Sequence, residues 1–293
     1  MAEFVLSAFA DEAADSLEGQ ITALHENGIG YIEPRNIDGT PILKHTKERL
    51  TDIKHALDNE GIKVGSLGSP IGKYQIKEPF APHLDDFKYA LEVCNILGTE
   101  NMRMFSFFTE GVTLAECRSE VLERLSIMTE LASAAGVRLC HENETGIYGC
   151  MPGEVADLLN SLPSLYAIFD PANYRMNNAD VDEGLKATFI RPAYMHVKDA
   201  IFESQTIVPA GEGEGKISEA IKAFDAAIDG KVMLTLEPHL HVFAAYKDID
   251  HHELRGKYSF ENNREAFDFA ANALKNIMIE NGYKRSDEGM WKR

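Results

Sequence analysis

Cysteine, basic charge and long apolar runs are what this chain has least of. Its four cysteines, Cys94, Cys117, Cys140 and Cys150, fit neither the spacing of a metal knuckle nor that of a redox pair, and a chain of this length needs no disulfide staples. Reduced thiols are therefore expected. Lys and Arg number 29 against 47 Asp and Glu, a net charge of −18, whereas a nucleic-acid surface is built from cations that neutralise phosphates and release counterions. Nucleic acid and anionic membranes are thus excluded as expected partners, although a local basic pocket for one phosphate group would survive in an acidic protein. The start, Met1-Ala2-Glu3-Phe4-Val5-Leu6, has an acidic residue and only a short apolar stretch, which reads as neither a signal peptide nor a membrane span. The expected address is cytoplasmic. No proline-rich or serine-rich linker and no low-complexity segment divides the chain, so one domain over residues 1–293 is expected.

What is present is an alternation. Short apolar runs of strand length fall at 4–9, 31–33, 63–67, 101–105, 138–142, 166–170, 194–198 and 232–237, each followed by a stretch with helical spacing, the sixth weakly so. Such alternation predicts parallel strands connected by covering helices. The first helix is signalled by Ser16 as its N-cap and by Asn27-Gly28 as its stop, and the stretches 46–60, 82–97 and 113–135 stop at Gly61, Gly98 and Gly136. Glycine suits a helix end because it takes the left-handed conformation without strain. Eight βα units in series predict an α/β fold, a (β/α)8 TIM barrel, in preference to an open doubly wound sheet. Residues 283–293, polar and holding the only tryptophan, read as a tail. The stretch 239–259 is long for a βα connection and reads as a lid or a subunit contact.

Four strands of the second half end on metal-binding side chains: Glu142, Asp170, His196 and Glu237. Strand C-termini of a barrel converge on one rim, so these residues would meet around one point. Alternation along a strand puts Glu142 on the inward face with Cys140 and turns Leu139 outward; likewise Leu234 and Leu236 face out and Glu237 faces in. Any one of the four alone could be a solvated polar group at a strand end. Jointly, three carboxylates and an imidazole form a hard, oxygen-rich set that suits one divalent ion, Mn2+ first, with Mg2+, Co2+ or Zn2+ as alternatives. An ion so held keeps positions open for substrate oxygens, polarises a carbonyl and acidifies the adjacent C–H, which is enolisation chemistry.

The phrases His141-Glu142-Asn143-Glu144, Phe169-Asp170-Pro171-Ala172-Asn173, His196-Val197-Lys198-Asp199 and Leu236-Glu237-Pro238-His239 resemble the xylose isomerase-like sugar isomerase/epimerase superfamily over nearly the whole chain. In the first half, Ser7-Ala8-Phe9-Ala10-Asp11-Glu12, Tyr31-Ile32-Glu33-Pro34-Arg35 and Gly68-Ser69-Pro70-Ile71-Gly72-Lys73 are similar to a bacterial branch described as sugar phosphate isomerases/epimerases. The resemblance implies a mechanism like that of the ketose 3-epimerases, in which two metal-bound glutamates on opposite faces of the sugar exchange protons with one carbon; the matching residues are Glu142 and Glu237, with Asp170 and His196 as ligands only. Those epimerases carry a histidine three residues after the aspartate ligand to contact the substrate; this chain has Asn173 there, a candidate substrate contact, and that departure loosens any assignment to a known ketose. Barrels of this kind also associate as dimers or tetramers, so a homo-oligomer is one expectation.

Further candidates for substrate contact lie near these phrases. Lys198 and His239 stand two residues beyond ligands, so alternation puts them on the ligand face, where each could bind a substrate oxygen or form a rim salt bridge. Glu144 repeats that step from Glu142 and is either a support for a ligand, a substrate group or a surface carboxylate. Glu33 and Arg35 could grip hydroxyls, although an ion pair between them is the first expectation. Lys73 could reach the substrate, but its segment is no phosphate loop, having three residues between its glycines and Tyr74 after the lysine where a Walker sequence needs four and a Ser or Thr. The run 209–215 is read as a flexible acidic loop after the seventh strand, and a second metal at His251-His252 is not expected. Three other functions compete with the isomerase/epimerase acting on a small sugar or sugar phosphate. They are a metal-dependent dehydratase on a keto-sugar or keto-inositol, an apurinic endonuclease, which the charge opposes, and a non-catalytic sugar-binding barrel.

Overall fold

The computed structural model describes residues 1–241 and 260–293. Beyond residue 241, the stretch read as a lid or subunit contact lies outside the described residues, as do His251 and His252. The eight strands are β1 (Ala2–Ala8), β2 (Tyr31–Ile32), β3 (Lys63–Val64), β4 (Asn101–Met104), β5 (Arg138–Glu142), β6 (Leu165–Phe169), β7 (Pro192–Val197) and β8 (Gly230–Leu236). Pairing is parallel from β4 through β5, β6, β7 and β8 to β1, and again between β2 and β3. A few backbone contacts close the ring where the ladders stop. Glu33 N–H donates to Ala8 C=O at 3.0 Å, and Leu67 N–H donates to Asn101 C=O at 2.9 Å. The α/β TIM barrel is therefore complete, and the strand ends β5 to β8 occupy one arc of its rim.

The covering helices start and stop where their side chains require. Helix α1 (Leu17–Glu26) begins with Ser16 Oγ accepting from Gly19 N–H, α2 (Lys47–Asn59) with Thr46 accepting from Arg49 N–H, and α4 (Leu114–Ala134) with a reciprocal Thr113–Glu116 capping box. These bonds satisfy backbone donors that the first turn leaves open. Helix α3 (Phe80–Leu97) starts two residues before the expected 82 and ends at Gly98 with φ 69°. α5 (Pro152–Ser161) starts on Pro152 with Glu154 accepting from Met151 N–H, α8 (Ile217–Ala227) starts without a side-chain cap, neither stops at a glycine, and α9 (Asn263–Glu280), capped by Asn262, packs against β8. The weak sixth unit has a physical cause: its helix is split into α6 (Pro171–Met176) and α7 (Val181–Thr188) by a turn in which Asn178 has φ 54°. No helix among the described residues is long and apolar enough to cross a membrane.

Alternation along the strands builds two apolar layers. Leu139, Leu234 and Leu236 join the large layer between barrel and helices, whereas Val5, Cys140, Ile168, Tyr194 and Met233 form a separate cluster inside the barrel. That inner cluster fills the lower barrel, so the polar residues above it stand on a packed floor. The tail expected over 283–293 is instead a hairpin of Lys284–Arg285 with Trp291–Lys292, in which Trp291 pairs antiparallel with Phe4. The reason lies in β2, which meets β1 only near Ala8 and leaves the lower backbone of β1 for another partner. Trp291 and Tyr283 are both buried there.

Candidate metal centre

Glu142 ends β5, Asp170 follows β6, His196 lies near the end of β7 and Glu237 follows β8. One ligand atom from each lies within 4.8 Å of every other, and all four side chains are buried. His196 Nδ1 stands 3.1 Å from Glu142 Oε1 and 3.3 Å from Glu237 Oε2. Lys198 Nζ lies 2.8 Å from Asp170 Oδ2 and 3.6 Å from Glu237 Oε2. Those two carboxylate oxygens are buried with these ionic contacts but without a hydrogen bond, an arrangement that is costly unless a cation completes it. The donor set is hard and oxygen-rich, so the four residues fit a divalent ion.

The electrostatics of the cluster show how much positive charge it demands. Burial pushes Asp170 up to about 7, against the pull of Lys198. Burial also raises Glu142, yet His196 and Arg103 more than offset it and hold the carboxyl at about 2. For Glu237 the same contest is won by Lys198 and His239, which hold it well below the usual carboxylate range. Burial alone would lower His196 and Lys198, but Glu142 and Glu33 raise the imidazole, and Asp170 and Glu237 raise the ammonium. Converging carboxylates thus draw protons onto their basic neighbours, and a dication would take over that role.

Backbone and side chains just outside the cluster fix its geometry. The Asn143 side chain bonds both the N–H and the C=O of Asp170, at 3.2 and 2.9 Å, continuing the β5–β6 pairing past the strand ends. Asn173 donates from its backbone to Asp170 Oδ1 and from its side chain to Asn143 C=O and, at 3.4 Å, to Glu142 Oε1. Glu33 lies beneath the cluster, fully buried, accepting from Tyr194 and Thr235 hydroxyls, with Oε2 3.4 Å from His196 Nε2. A carboxylate in that place orients a ligand imidazole and strengthens its donor nitrogen.

A sequence model described as the xylose isomerase-like TIM barrel matches residues 21–239. The chain belongs to that family. No curated protein sequence matches it significantly. Among solved structures, it is similar to an L-ribulose 3-epimerase at 16% identity and TM-score 0.71, covering 96% of each chain. The probable 3-DHS dehydratase AsbF of Bacillus anthracis is similar at 14% and 0.68, over 94% of this chain and 99% of that one. The IOLI protein, described with a binding zinc atom, is similar at 15% and 0.70, over 94% and 97%. At these identities the likeness shows the fold, and the xylose isomerase-like assignment rests on the sequence match.

Within this xylose isomerase-like barrel the other expected residues fall into three places. Lys198 and His239 sit at the cluster itself, His239 Nε2 lying 3.3 Å from both Glu237 and Glu12. Arg35 pairs with Asp11 and Glu12, at 3.0 and 3.3 Å, and lies 3.6 Å from Glu237, rather than forming the expected pair with Glu33. The reason is that β2 ends at Ile32, Glu33 stays in the barrel wall, and the turn through Pro34 swings Arg35 over the rim. Lys73 pairs with Glu144 at 3.0 Å, both partly exposed, one step farther out. Asp11, Glu12, Asn143 and Asp199, which stand in the phrases that carry the resemblance, and Arg103, which does not, are not among the residues the sequence points to individually. Arg103 carried a readable signal, a lone cation alternating with Met102 and Met104 in an apolar strand; Asp199 carried none, because its role depends on a loop folded back from 211–215.

Proposed function

We propose that this protein is a divalent-metal-dependent isomerase or epimerase of a small keto sugar, one barrel domain over residues 1–293, with Mn2+ held by Glu142, Asp170, His196 and Glu237. The observation that carries the reading is the convergence of those four side chains, buried, within 4.8 Å of one another on the strand-end rim of the barrel. The ion, when bound, would polarise a substrate carbonyl and stabilise the negative charge left when the neighbouring C–H loses its proton. Glu142 and Glu237 come from the two ends of the β5–β8 arc, which suits them to address one carbon from different sides. Glu237 is steered by Arg35 and His239 on Oε1 and by His196 and Lys198 on Oε2. Glu142 is steered by His196 and Asn173 on Oε1 and by Arg103 on Oε2. Carboxylates so restrained can take a proton from carbon and return one to the opposite face.

Lys198 and His239 are the groups we assign to substrate oxygens, with Lys73 and Glu144 at the outer rim. Arg35, Glu33 and Asn173 are assigned to holding the carboxylates and the imidazole. Similarity to the L-ribulose 3-epimerase supports epimerisation, and similarity to the probable dehydratase supports a second reading, in which the same proton abstraction ends in loss of water. The test is solvent deuterium incorporation into a panel of free and phosphorylated ketoses with the Mn2+-loaded protein, beside Glu142→Gln and Glu237→Gln. Incorporation at one carbon, abolished by both substitutions and without mass loss beyond the label, is expected. A product lighter by one water identifies the dehydratase, and a metal-loaded protein inert toward every ketose contradicts the isomerase reading.

A further inference from the structure

Arg103 is a buried cation with donors to spare. It lies on the inward face of β4, in register with Cys140, only 6% exposed. Its guanidinium lies over the rings of Phe9 and Phe105, 4.8 and 5.2 Å from their centroids. Its two hydrogen bonds are long, 3.3 Å from Nη1 to Glu142 Oε2 and 3.4 Å from Nη2 to Gly68 C=O, and Nε has no partner. A guanidinium carries five N–H donors, so most of its capacity is unmet in a place where unmet donors are costly. A bound divalent ion would sharpen the deficit, because it draws on the charge of Glu142.

The neighbouring cations differ. Arg35 also lies over Phe9, 4.5 Å from the ring centroid, but Asp11 and Glu12 both engage it. Lys73 lies 4.5 Å from the Phe105 ring and is engaged by Glu144. One guanidinium is thus underused, and a single planar anion matches it: a carboxylate takes two parallel N–H bonds from the guanidinium fork. A phosphate dianion would ask for a second cation beside the guanidinium, and the two that share its aromatic neighbours, Arg35 and Lys73, are engaged by carboxylates.

Building on the metal-dependent reading of the same site, we propose that the substrate is a sugar acid whose carboxylate is received by Arg103. D-fructose, D-fructuronate and D-fructose 6-phosphate share one frame and differ only at carbon 6, so they isolate the contribution of the anion. Calorimetric titration of each into the Mn2+-loaded full chain is expected to show fructuronate binding roughly ten- to a hundredfold more tightly than fructose, the range of a charge-assisted pair. It should also bind more tightly than the phosphate. Arg103→Met is expected to erase the difference and Arg103→Lys to restore part of it, a pattern that a merely structural role for Arg103 would not produce. Manganese content and melting temperature, read on the same samples, separate loss of anion recognition from loss of the metal site or of the fold. Equal binding of fructose and fructuronate, tightest binding of the phosphate, absence of fructuronate binding, or a preference that survives Arg103→Met overturns the inference while leaving the metal-dependent reading standing if manganese is bound.

Discussion

Glu33 stands beside the four-residue cluster without belonging to it. It is fully buried, anchored by two hydroxyls, and faces the imidazole nitrogen opposite the one turned to the carboxylates. Glu33→Gln should therefore leave the protein folded and weaken metal binding roughly ten- to a hundredfold, the usual effect of such a supporting group. Competition with a chelator measures this, and an unchanged affinity would show that the imidazole needs no orienting partner. His83 makes a different kind of prediction. Its Nε2 accepts from Gly72 N–H, its ring stacks on Tyr74 at 4.9 Å, and burial lowers its pKa from 6.5 to about 4. The unfolded chain then binds a proton that the folded chain refuses, so stability falls as pH drops from about 6.5 toward about 4. Urea unfolding across that window should show the slope, and His83→Gln, which keeps an acceptor but no titration, should reduce it, leaving the part that His141, likewise lowered to about 4 by burial, contributes.

At the scale of elements, the loop after β7 is tied down by one side chain. The Asp199 carboxylate accepts from the backbone N–H groups of Gly211, Gly213 and Gly215 at 2.9, 3.1 and 2.8 Å, so a run that reads as flexible is folded around an anion. A Cβ on Gly213 would lie 2.2 Å from Asp199 Oδ1. Gly213→Ala should accordingly cost about 1–3 kcal/mol, the range for forced overpacking, and expose the loop to protease; a melt identical to wild type would show that the loop closes by other means. Legibility in the sequence divides along the same line. Strands and helices could be read because alternation, N-caps and glycine stops are local. The convergence of Glu142, Asp170, His196 and Glu237 could be read because the barrel rule carries it. The destinations of Glu33, Arg35 and Asp199 depend on which loop folds back over the rim, and no local pattern encodes that.

For the molecule as a whole, the ring of eight strands holds the site above a filled floor, and the C-terminal hairpin completes the wall where β2 is too short. Trp291, the only tryptophan, is buried against β1. Its fluorescence should be that of an apolar environment and shift to the red on unfolding. Trp291→Ala should cost about 3–5 kcal/mol, and an effect below 1 kcal/mol would mean that the barrel closes without the hairpin. The central claim is that four strand ends, contributed by sequence positions almost a hundred residues apart, make one metal site. Its most direct test is titration of the metal-free protein with Mn2+, counting tight sites in the wild type and in Asp170→Asn and His196→Gln. One site per chain, lost or greatly weakened in both variants with the fold intact, is the predicted result; no tight site, or one that both variants keep, would contradict it.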